Sequence, residues 1–392
     1  MFLFRNFFPR IKLLGLGERA ESTLRRARIL GETAISVNGM YRNSRGARYD
    51  WGMGTISSIS NTPSGGQTPA QLLDAVNSLI NEDMTAVDHH IKNELKSDVV
   101  LIEQIGEYIV GAGGKRLRPV TLLLGAHALG YKGTAHIDLA AVVEFIHTAT
   151  LLHDDVVDES ALRRGRETAN DLWGNAASVL VGDFLYSRAF QMMVAVGNPR
   201  VMDIMAQTTN AIAQGEVMQL INSHNPETGE AAYLETITRK TAKLFESTAR
   251  LGAVLAQASP AGERVLGEFG LHLGIAFQMV DDALDYSSDA KQMGKNAGDD
   301  LAEGKITLPL IHALQRSGSA GRKIIEDAVE TGNRDAFPEI RRIIESTGAL
   351  AYTCAQAQEH AALARQSLES LPASNYRTAL GQLADFSVSR TF

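Results

Sequence analysis

Apolar residues recur at helical spacing along most of the chain. Between residues 67 and 95, for example, Leu72, Val76 and Leu79 are separated by four and three positions, the spacing of one face of an α-helix. Similar patterns predict helices over 99–110, 120–129, 136–159, 176–196, 201–221, 230–255 and 262–286, and further amphipathic helices from residue 306 to the end. Sustained alternation of apolar and polar residues, which is typical of half-buried strands, is missing from the sequence. The pattern therefore predicts an all-α protein.

Two of the predicted helices end in the same acidic pattern. Each closes in three carboxylates spaced D-D-x-x-D, namely Asp154, Asp155 and Asp158 in the first and Asp281, Asp282 and Asp285 in the second. Like charges four residues apart on a helix repel each other by a few tenths of a kcal/mol, and more beside an apolar wall. One such run would be read as a solvated helix end, but two in one chain indicate a shared role.

The chemistry of these oxygen donors favours a hard cation. Mg²⁺ binds through one or two carboxylates together with waters and substrate phosphates. Zinc is not expected, because the sequence has no Cys/His cluster and His147 and His153 lack suitable partners along the chain. The aspartates therefore predict a magnesium site that also binds phosphate.

Cations and glycines interrupt the helices at several points, and both suit a phosphate group. They lie at 113–119 (GGKRLRP), in the basic turn 160–166 (SALRRGR), in the helix 230–255 around Lys240, and in the glycine-rich segment 292–305. A P-loop pattern is not among them. Since an apolar helix precedes the first aspartates, we expect a substrate with a diphosphate and a hydrocarbon chain, bound between helices.

Composition limits the remaining possibilities. The net charge of −7 argues against nucleic-acid binding, which needs a basic face. The single cysteine, Cys354, predicts a reducing compartment, and hence a cytoplasmic location, and no uninterrupted apolar run reaches the ~18–20 residues of a membrane span. We expect a helical domain over 67–392. Residues 1–66 are interpreted as a basic extension and linker, disordered or upstream of the true start, with a membrane-touching or transit segment as the alternative.

From residue 67 to its end, the sequence resembles the trans-polyprenyl diphosphate synthases, close to the octaprenyl group of bacterial quinone side-chain synthesis. The motifs that carry the resemblance occur in order: 114–119 (GKRLRP), 151–158 (LLHDDVVD), 163–165 (RRG), 182–183 (GD), 240–241 (KT), 278–285 (QMVDDALD) and 294–295 (GK). Each motif alone is weak, but together they are specific.

The resemblance implies roles for individual residues. Asp154, Asp158 and Asp281 would bind Mg²⁺, with Asp155 and Asp282 supporting them. The isopentenyl diphosphate site would comprise Lys115, Arg118, His147 and Arg164. The allylic diphosphate site would comprise Arg163, Lys240, Thr241, Gln278, Lys295 and Lys305. The family reaction ionises an allylic diphosphate such as farnesyl diphosphate, adds isopentenyl diphosphate to the cation and releases a proton. A homodimer, and peripheral membrane contact for product release, are also implied.

Product length depends on the residues below the first aspartates. Ala149 and Thr150 lie five and four residues before Asp154, roughly 6–7.5 Å along the helix, where short-chain members of the family tend to carry an aromatic residue. Their small size leaves the passage along this helix open and predicts a long product, which the resemblance implies to be octaprenyl diphosphate of about C40, with solanesyl or decaprenyl diphosphate as alternatives.

Other functions fit the sequence less well. A class I terpene cyclase would not need Lys115 and Arg118, and usually has a different second motif. A catalytically silent subunit of a heteromeric synthase typically loses aspartates, whereas all six are present here. A short-chain synthase conflicts with Ala149, and a plain helical scaffold leaves the paired acidic runs unexplained.

Overall fold

A computed structural model describes residues 68–287 and 298–389. The first half of the described chain consists of α1 (Pro69–Ser78), α2 (Asn81–Glu94), α3 (Val100–Gly111), α4 (Leu117–Ala128), α5 (Ala135–Val157), β1 (Leu162–Arg163), β2 (Arg166–Glu167), α6 (Ala169–Trp173), α7 (Asn175–Val196) and α8 (Pro199–Asn222). The domain boundary expected at residues 66 and 67, and the interpretation of residues 1–66, lie outside the described residues.

The second half is helical throughout. It consists of α9 (Glu230–Ile237), a π-helical turn (Thr238–Ala242), α10 (Lys243–Leu255), α11 (Pro260–Asp285), α12 (Asp299–Ala302), α13 (Leu308–Arg316), α14 (Ser319–Thr331), a 3₁₀ turn (Arg334–Ala336), α15 (Phe337–Ser346), α16 (Ala349–Ser367), a second 3₁₀ turn (Leu368–Ser370) and α17 (Asn375–Val388). The prediction of an all-α protein is confirmed.

Helix α5 lies at the centre of the larger apolar core. Its buried residues include Phe145, Ile146, Ala149 and Leu152, and it packs against α2, α4 and α7. A second core joins α11 to α13, α14, α15 and α16. Because α5 and α11 are both anchored in buried apolar contacts, the acidic runs at their C-terminal ends are held on rigid supports.

The predicted helix over 67–95 is wrong in one respect, because the structure divides it into α1 and α2. The chain leaves helical geometry at Ile80 (φ −130°, ψ 21°). Thr68 caps α1 with a reciprocal capping box to Gln71, and Glu82 and Asp83 lie in the first turn of α2, where negative charge is favoured. Two consecutive helices that share an apolar face produce nearly the same spacing pattern as one.

The basic turn after α5 forms a two-stranded antiparallel hairpin in which Arg163 pairs with Arg166. Its two central residues, Arg164 and Gly165, have φ of 54° and 74°. A two-residue hairpin turn favours positive φ at both positions because this backbone twist matches that of the strands. The hairpin therefore places Arg163 at the end of β1 and Arg164 in the turn itself.

Two helices of the described chain, α5 and α7, are long and apolar enough to cross a membrane by length and composition alone. The expectation from uninterrupted apolar runs did not include them, because polar residues interrupt both. Helix α5 is mostly buried in the core, and core helices commonly pass such a test. This is weak evidence for a membrane span.

Candidate active site

The first acidic run divides into two functions according to helix geometry. Asp154 and Asp158 line a cavity of about 1800 Å³. Asp155 points away from it, is fully buried, and accepts hydrogen bonds at Oδ1 from Nε of Arg163 at 2.7 Å and from Nη2 at 2.6 Å. Burial raises the pKa of Asp155, while the Arg163 guanidinium opposes that rise. Asp154 and Asp158 are therefore available to a ligand, and Asp155 holds Arg163 in place.

Two lysines offset the negative charge of Asp154 and Asp158, the two aspartates that line the cavity. Nζ of Lys240 lies 3.7 Å from Oδ1 of Asp154 and donates to Glu216 at 2.5 Å. Nζ of Lys305 donates to Oδ2 of Asp158 at 2.8 Å and also contacts Glu303. Burial lowers the pKa of Lys305, but the charges of Asp158 and Glu303 outweigh it and raise that pKa well above the ordinary value. Lys305 is thus cationic, and both ammonium groups are directed at the cavity-lining carboxylates.

The π-helical turn sets the direction of Lys240 and Thr241. A π-helical turn inserts one extra residue into a helix and is often found at functional sites. Helix α8 can approach it because residue 215 is glycine, where an added Cβ would lie 2.5 Å from the backbone nitrogen of Lys240. Thr241 donates to Gln278 at 2.9 Å, and Gln278 donates to Asp282 at 2.7 Å. The turn is thereby linked to the second acidic run.

The second acidic run is more deeply buried than the first. Asp282 and Asp285 are buried and Asp281 is half-buried. Tyr233 donates its hydroxyl to Oδ2 of Asp282 at 2.6 Å. Burial, followed by the charge of Asp300, raises the pKa of Asp282 to about 7. Asp282 therefore has hydrogen-bond partners within the protein, which suits a supporting role.

A small cavity of about 170 Å³ lies between the two acidic runs. It is lined by every described residue of the predicted allylic diphosphate set: Arg163, Lys240, Thr241, Gln278 and Lys305. Asp158 and Asp282 also line it. Lys295 lies outside the described residues. The structure thus brings together residues that are up to 142 positions apart in sequence (163 to 305).

Most of the predicted isopentenyl diphosphate set forms a second basic group. Burial lowers the pKa of Arg118 to about 10, against the opposing charges of Glu144 and Asp281. Burial also lowers the pKa of His147 well below its ordinary value, with further lowering by Arg118 and Arg164. His147 is therefore neutral, and Nε of Arg118 has no hydrogen-bond partner among the described residues.

Glycine and aromatic neighbours hold this group in place. The Arg164 guanidinium packs on the backbone of Gly114, where an added Cβ would lie 2.8 Å from Nη1. Arg118 lies over the ring of Phe245 at 4.4 Å. Lys115 is exposed and lies over the ring of Phe386 in α17, 5.4 Å from its centroid, so the structure places it at the edge of the group.

Sequence reasoning missed two acidic residues of the site, Glu216 and Glu303. Burial, then the charge of Asp154, raises the pKa of Glu216 to about 7, while Lys240 opposes that rise. Burial also raises the pKa of Glu303 to about 7, against the opposing effect of Lys305. Glu303 follows Asp299 and Asp300 with D-D-x-x-E spacing, a signal that could have indicated it, and Gly215 beside Glu216 marks a close helix approach.

The large cavity continues from the aspartates between α5, α7 and α8. Thr150 lines it, as do Tyr186 and Phe190, whose rings stack with centroids 6.1 Å apart. Ala149 is fully buried in the core instead and is not among the lining residues. Of the two predicted length-determining residues, only Thr150 lies directly on the cavity wall.

Two acidic runs at helix ends that line neighbouring cavities, two basic groups and a large, mostly apolar cavity define a prenyl-diphosphate type of site. Residues 99–347 match the polyprenyl synthetase family. The chain belongs to this family and is a prenyltransferase, as predicted. Its substrates are accordingly of the allylic diphosphate and isopentenyl diphosphate type, and the family uses a divalent metal.

Individual relatives agree with this assignment. The chain is 49% identical over 319 residues to the octaprenyl diphosphate synthase of Escherichia coli K12, covering 81% of this chain and 99% of that one. It is 45% identical to an all-trans-nonaprenyl-diphosphate synthase of Rhodobacter capsulatus, covering 79% of this chain and 96% of the relative. A crystal structure of polyprenyl synthase from Caulobacter crescentus, complexed with calcium and isoprenyl diphosphate, superimposes with a TM-score of 0.79 at 45% identity and covers 81% of this chain and 98% of that one.

Proposed function

We propose that the chain is a long-chain all-trans-polyprenyl diphosphate synthase that extends an allylic diphosphate, such as farnesyl diphosphate, to octaprenyl diphosphate for a quinone side chain. The observation that carries the proposal is the small cavity between the acidic runs, where three cationic side chains, Arg163, Lys240 and Lys305, converge beside Asp158. Such a set of charges suits a diphosphate that shares a cation with the protein.

The metal is proposed to be Mg²⁺, held by Asp154, Asp158 and Asp281. Asp154 and Asp158 fit this ion because they are carboxylates on one helix face that line the large cavity. When bound, Mg²⁺ would neutralise charge that develops on the departing pyrophosphate. Asp155 and Asp282 are engaged by Arg163 and Tyr233, so we assign them to orientation of the site.

The protein side chains would separate the two substrates. Lys240 and Lys305 would donate to the allylic diphosphate at its metal-bound end. Arg118 and Arg164 would bind isopentenyl diphosphate, together with the neutral His147 beside them. Lys115 would contact the same diphosphate from the edge of this basic group. The growing chain would extend past Thr150 into the cavity between α5, α7 and α8.

Incubation of the purified chain with farnesyl diphosphate, radiolabelled isopentenyl diphosphate and Mg²⁺ tests this function. We expect label in a product of about eight isoprene units, since the cavity of about 1800 Å³ has room for a long apolar chain. Omission of Mg²⁺ serves as the control. A terpene cyclase or a silent subunit would incorporate no label, and that result would refute the proposal.

Variants at the cavity wall test chain length in the same assay. Thr150→Phe places a ring directly in the cavity, and Ala149→Phe forces one into the core beside it, so both should shorten the product. Thr150→Val keeps the volume and should leave the length unchanged. An unaltered product profile in both phenylalanine variants would contradict the proposed role of these positions.

A homodimer is proposed from the outer face of α7. This helix exposes the large apolar side chains of Val179, Leu180 and Val194, and none of the three lines the large cavity. Leu180 is 67% exposed, and a group of exposed apolar side chains suits a protein–protein interface. Leu180→Asp should shift the mass measured by light scattering from dimer to monomer; an unchanged mass would count against this interface.

The cellular location is proposed to be cytoplasmic, because a chain with a single cysteine cannot form an internal disulfide and this composition is typical of a reducing compartment. We also propose peripheral membrane contact during release of the hydrophobic product. Vesicle flotation should recover more of the enzyme after turnover than before it, and equal recovery would argue against this contact.

A further inference from the structure

Three side chains from three helices meet at the end of α5 opposite to the aspartates. Asp83 belongs to the first turn of α2, His127 to the last turn of α4 and His136 to the first turn of α5. One potential ligand atom from each residue lies within 4.8 Å of the other two. The sequence gave no sign of this cluster, because its members are 44 and 9 residues apart.

His136 is the unusual member of the cluster. It is only 5% exposed, and neither of its ring nitrogens has a hydrogen-bond partner among the described residues. Its Nε2 lies 3.4 Å from Oδ1 of Asp83, and Nε2 of His127 lies 2.5 Å from Oδ2 of the same carboxylate. A buried imidazole without a hydrogen bond is unfavourable unless a ligand binds one of its ring nitrogens.

Aromatic neighbours fix the two imidazole rings. Tyr376 stacks on His127 with centroids 4.8 Å apart, and Tyr131 meets His136 edge-on at 5.4 Å. The rings also meet each other edge-on at 5.2 Å. Both imidazoles are therefore oriented before any ligand arrives, which reduces the entropy lost on binding.

We propose that Asp83, His127 and His136 bind a divalent transition-metal ion, with Zn²⁺ the best fit. Two imidazole nitrogens and one carboxylate oxygen are characteristic zinc ligands, whereas Mg²⁺ prefers oxygen. Zn²⁺ sits at about 2.0–2.2 Å from such atoms, so small side-chain rotations bring all three into contact with it. Asp83 and His127 are partly exposed, so water can take the fourth position. This proposal differs from the expectation that zinc has no suitable ligand cluster in the chain.

The location of this site separates it from the prenyl-transfer chemistry. His136 and Asp154 are 18 residues apart on α5, which corresponds to about 27 Å along the helix. A metal there would not touch either diphosphate site. It would clamp the start of α5 to α2 and α4, and so stabilise the helix that carries the first aspartates.

Metal titration of the full chain in excess Mg²⁺ tests the proposal, because Mg²⁺ occupies the carboxylate sites. Co²⁺ should produce the visible absorption of a nitrogen-ligated, four-coordinate ion at one equivalent per chain, and Zn²⁺ should displace it. Zn²⁺ should also raise the melting temperature by roughly 3–5 °C at a hundred-fold excess over its dissociation constant.

Matched variants assign the binding to the cluster. His127→Gln retains a hydrogen-bonding group beside Asp83 and should weaken Zn²⁺ binding at least ~10-fold, with loss of the thermal shift. His90→Gln is the control, since His90 pairs with Asp138 at 3.2 Å across the same helices, α2 and α5, but lies outside the cluster. Absence of a Mg²⁺-resistant site, or equal Zn²⁺ affinity in His127→Gln and wild type, would overturn the proposal.

Discussion

Asp154 and Asp155 are neighbours in sequence, yet the structure predicts that asparagine at position 155 lowers stability, whereas asparagine at position 154 lowers turnover. Asp155 is fully buried and accepts two hydrogen bonds from Arg163, whose side chain is 22% exposed. Hydrogen bonds to charged groups contribute about 1.5–3 kcal/mol, and removal of one partner of a buried ion pair costs about 3–5 kcal/mol. Because Arg163 keeps some solvent, we expect Asp155→Asn to lower the free energy of unfolding by about 2–3 kcal/mol.

Asp154 has a much weaker structural role. Its nearest cation, Nζ of Lys240, is 3.7 Å away, and both side chains are partly exposed. Loss of such a pair changes stability by about 0–1 kcal/mol, and relief of repulsion from Asp158 offsets part of that change. Asp154→Asn should therefore unfold within about 0.5 kcal/mol of wild type, while its turnover falls at least about 100-fold.

Urea unfolding followed by circular dichroism measures the free energy of unfolding, and incorporation of labelled isopentenyl diphosphate measures turnover. The slope of unfolding free energy against urea should be alike in all three proteins, so that midpoints can be compared directly. Equal losses of stability in the two variants would refute the division of this acidic run into a ligand pair and an anchor. Full activity in Asp154→Asn would do so as well.

Two further predictions concern the helix packing. Gly215→Ala should destabilise the protein by about 1–3 kcal/mol and reduce activity, because its Cβ would meet the backbone of Lys240 at 2.5 Å. The control Gly381→Ala, which has open space in α17, should instead stabilise it by about 0.5–1 kcal/mol, and similar unfolding midpoints would contradict this account. Burial, and then the charge of His272, lowers the pKa of His360 from 6.5 to about 4. The free energy of unfolding is therefore unaffected by this residue above pH 6.5 and decreases as the pH falls toward 4. The free energy of unfolding should fall by about 3 kcal/mol at most, and by about 2 kcal/mol at pH 5. The stability of His360→Gln should depend less on pH over this range. An identical dependence in the variant and the wild type would contradict the assigned role of His360.

Much of the fold follows from the sequence because helix patterns are local. The apolar spacing located the helices of the core, and the D-D-x-x-D runs indicated the two helix ends whose aspartates line the cavities. The break at Ile80 was missed because two successive helices with a common apolar face repeat the same spacing. Local patterns determine where helices lie more reliably than where they stop.

The parts of the site that sequence reasoning missed depend on contacts between distant segments. The extra residue in the π-helical turn at Lys240 leaves no periodic signature in five residues. Glu216 acquires its role only where α8 meets that turn. The cluster around His136 requires three helices to converge. Each of these features is a property of packing, so a single sequence without the fold cannot reveal it.

Lys240 lies beside Asp154 and Lys305 donates to Asp158, and both aspartates could instead bind a metal ion. Each lysine could likewise donate to a phosphate. A metal ion at Asp154 or Asp158 competes with an ammonium group for the same oxygen, and a diphosphate draws that ammonium away. Each ligand should therefore increase the affinity for the other by the same factor. Calorimetric titration of Mg²⁺ with and without pyrophosphate would reveal this reciprocity, and Lys305→Gln should diminish it. Such cooperative uptake of a cation and an anion needs only the rotation of two lysine side chains.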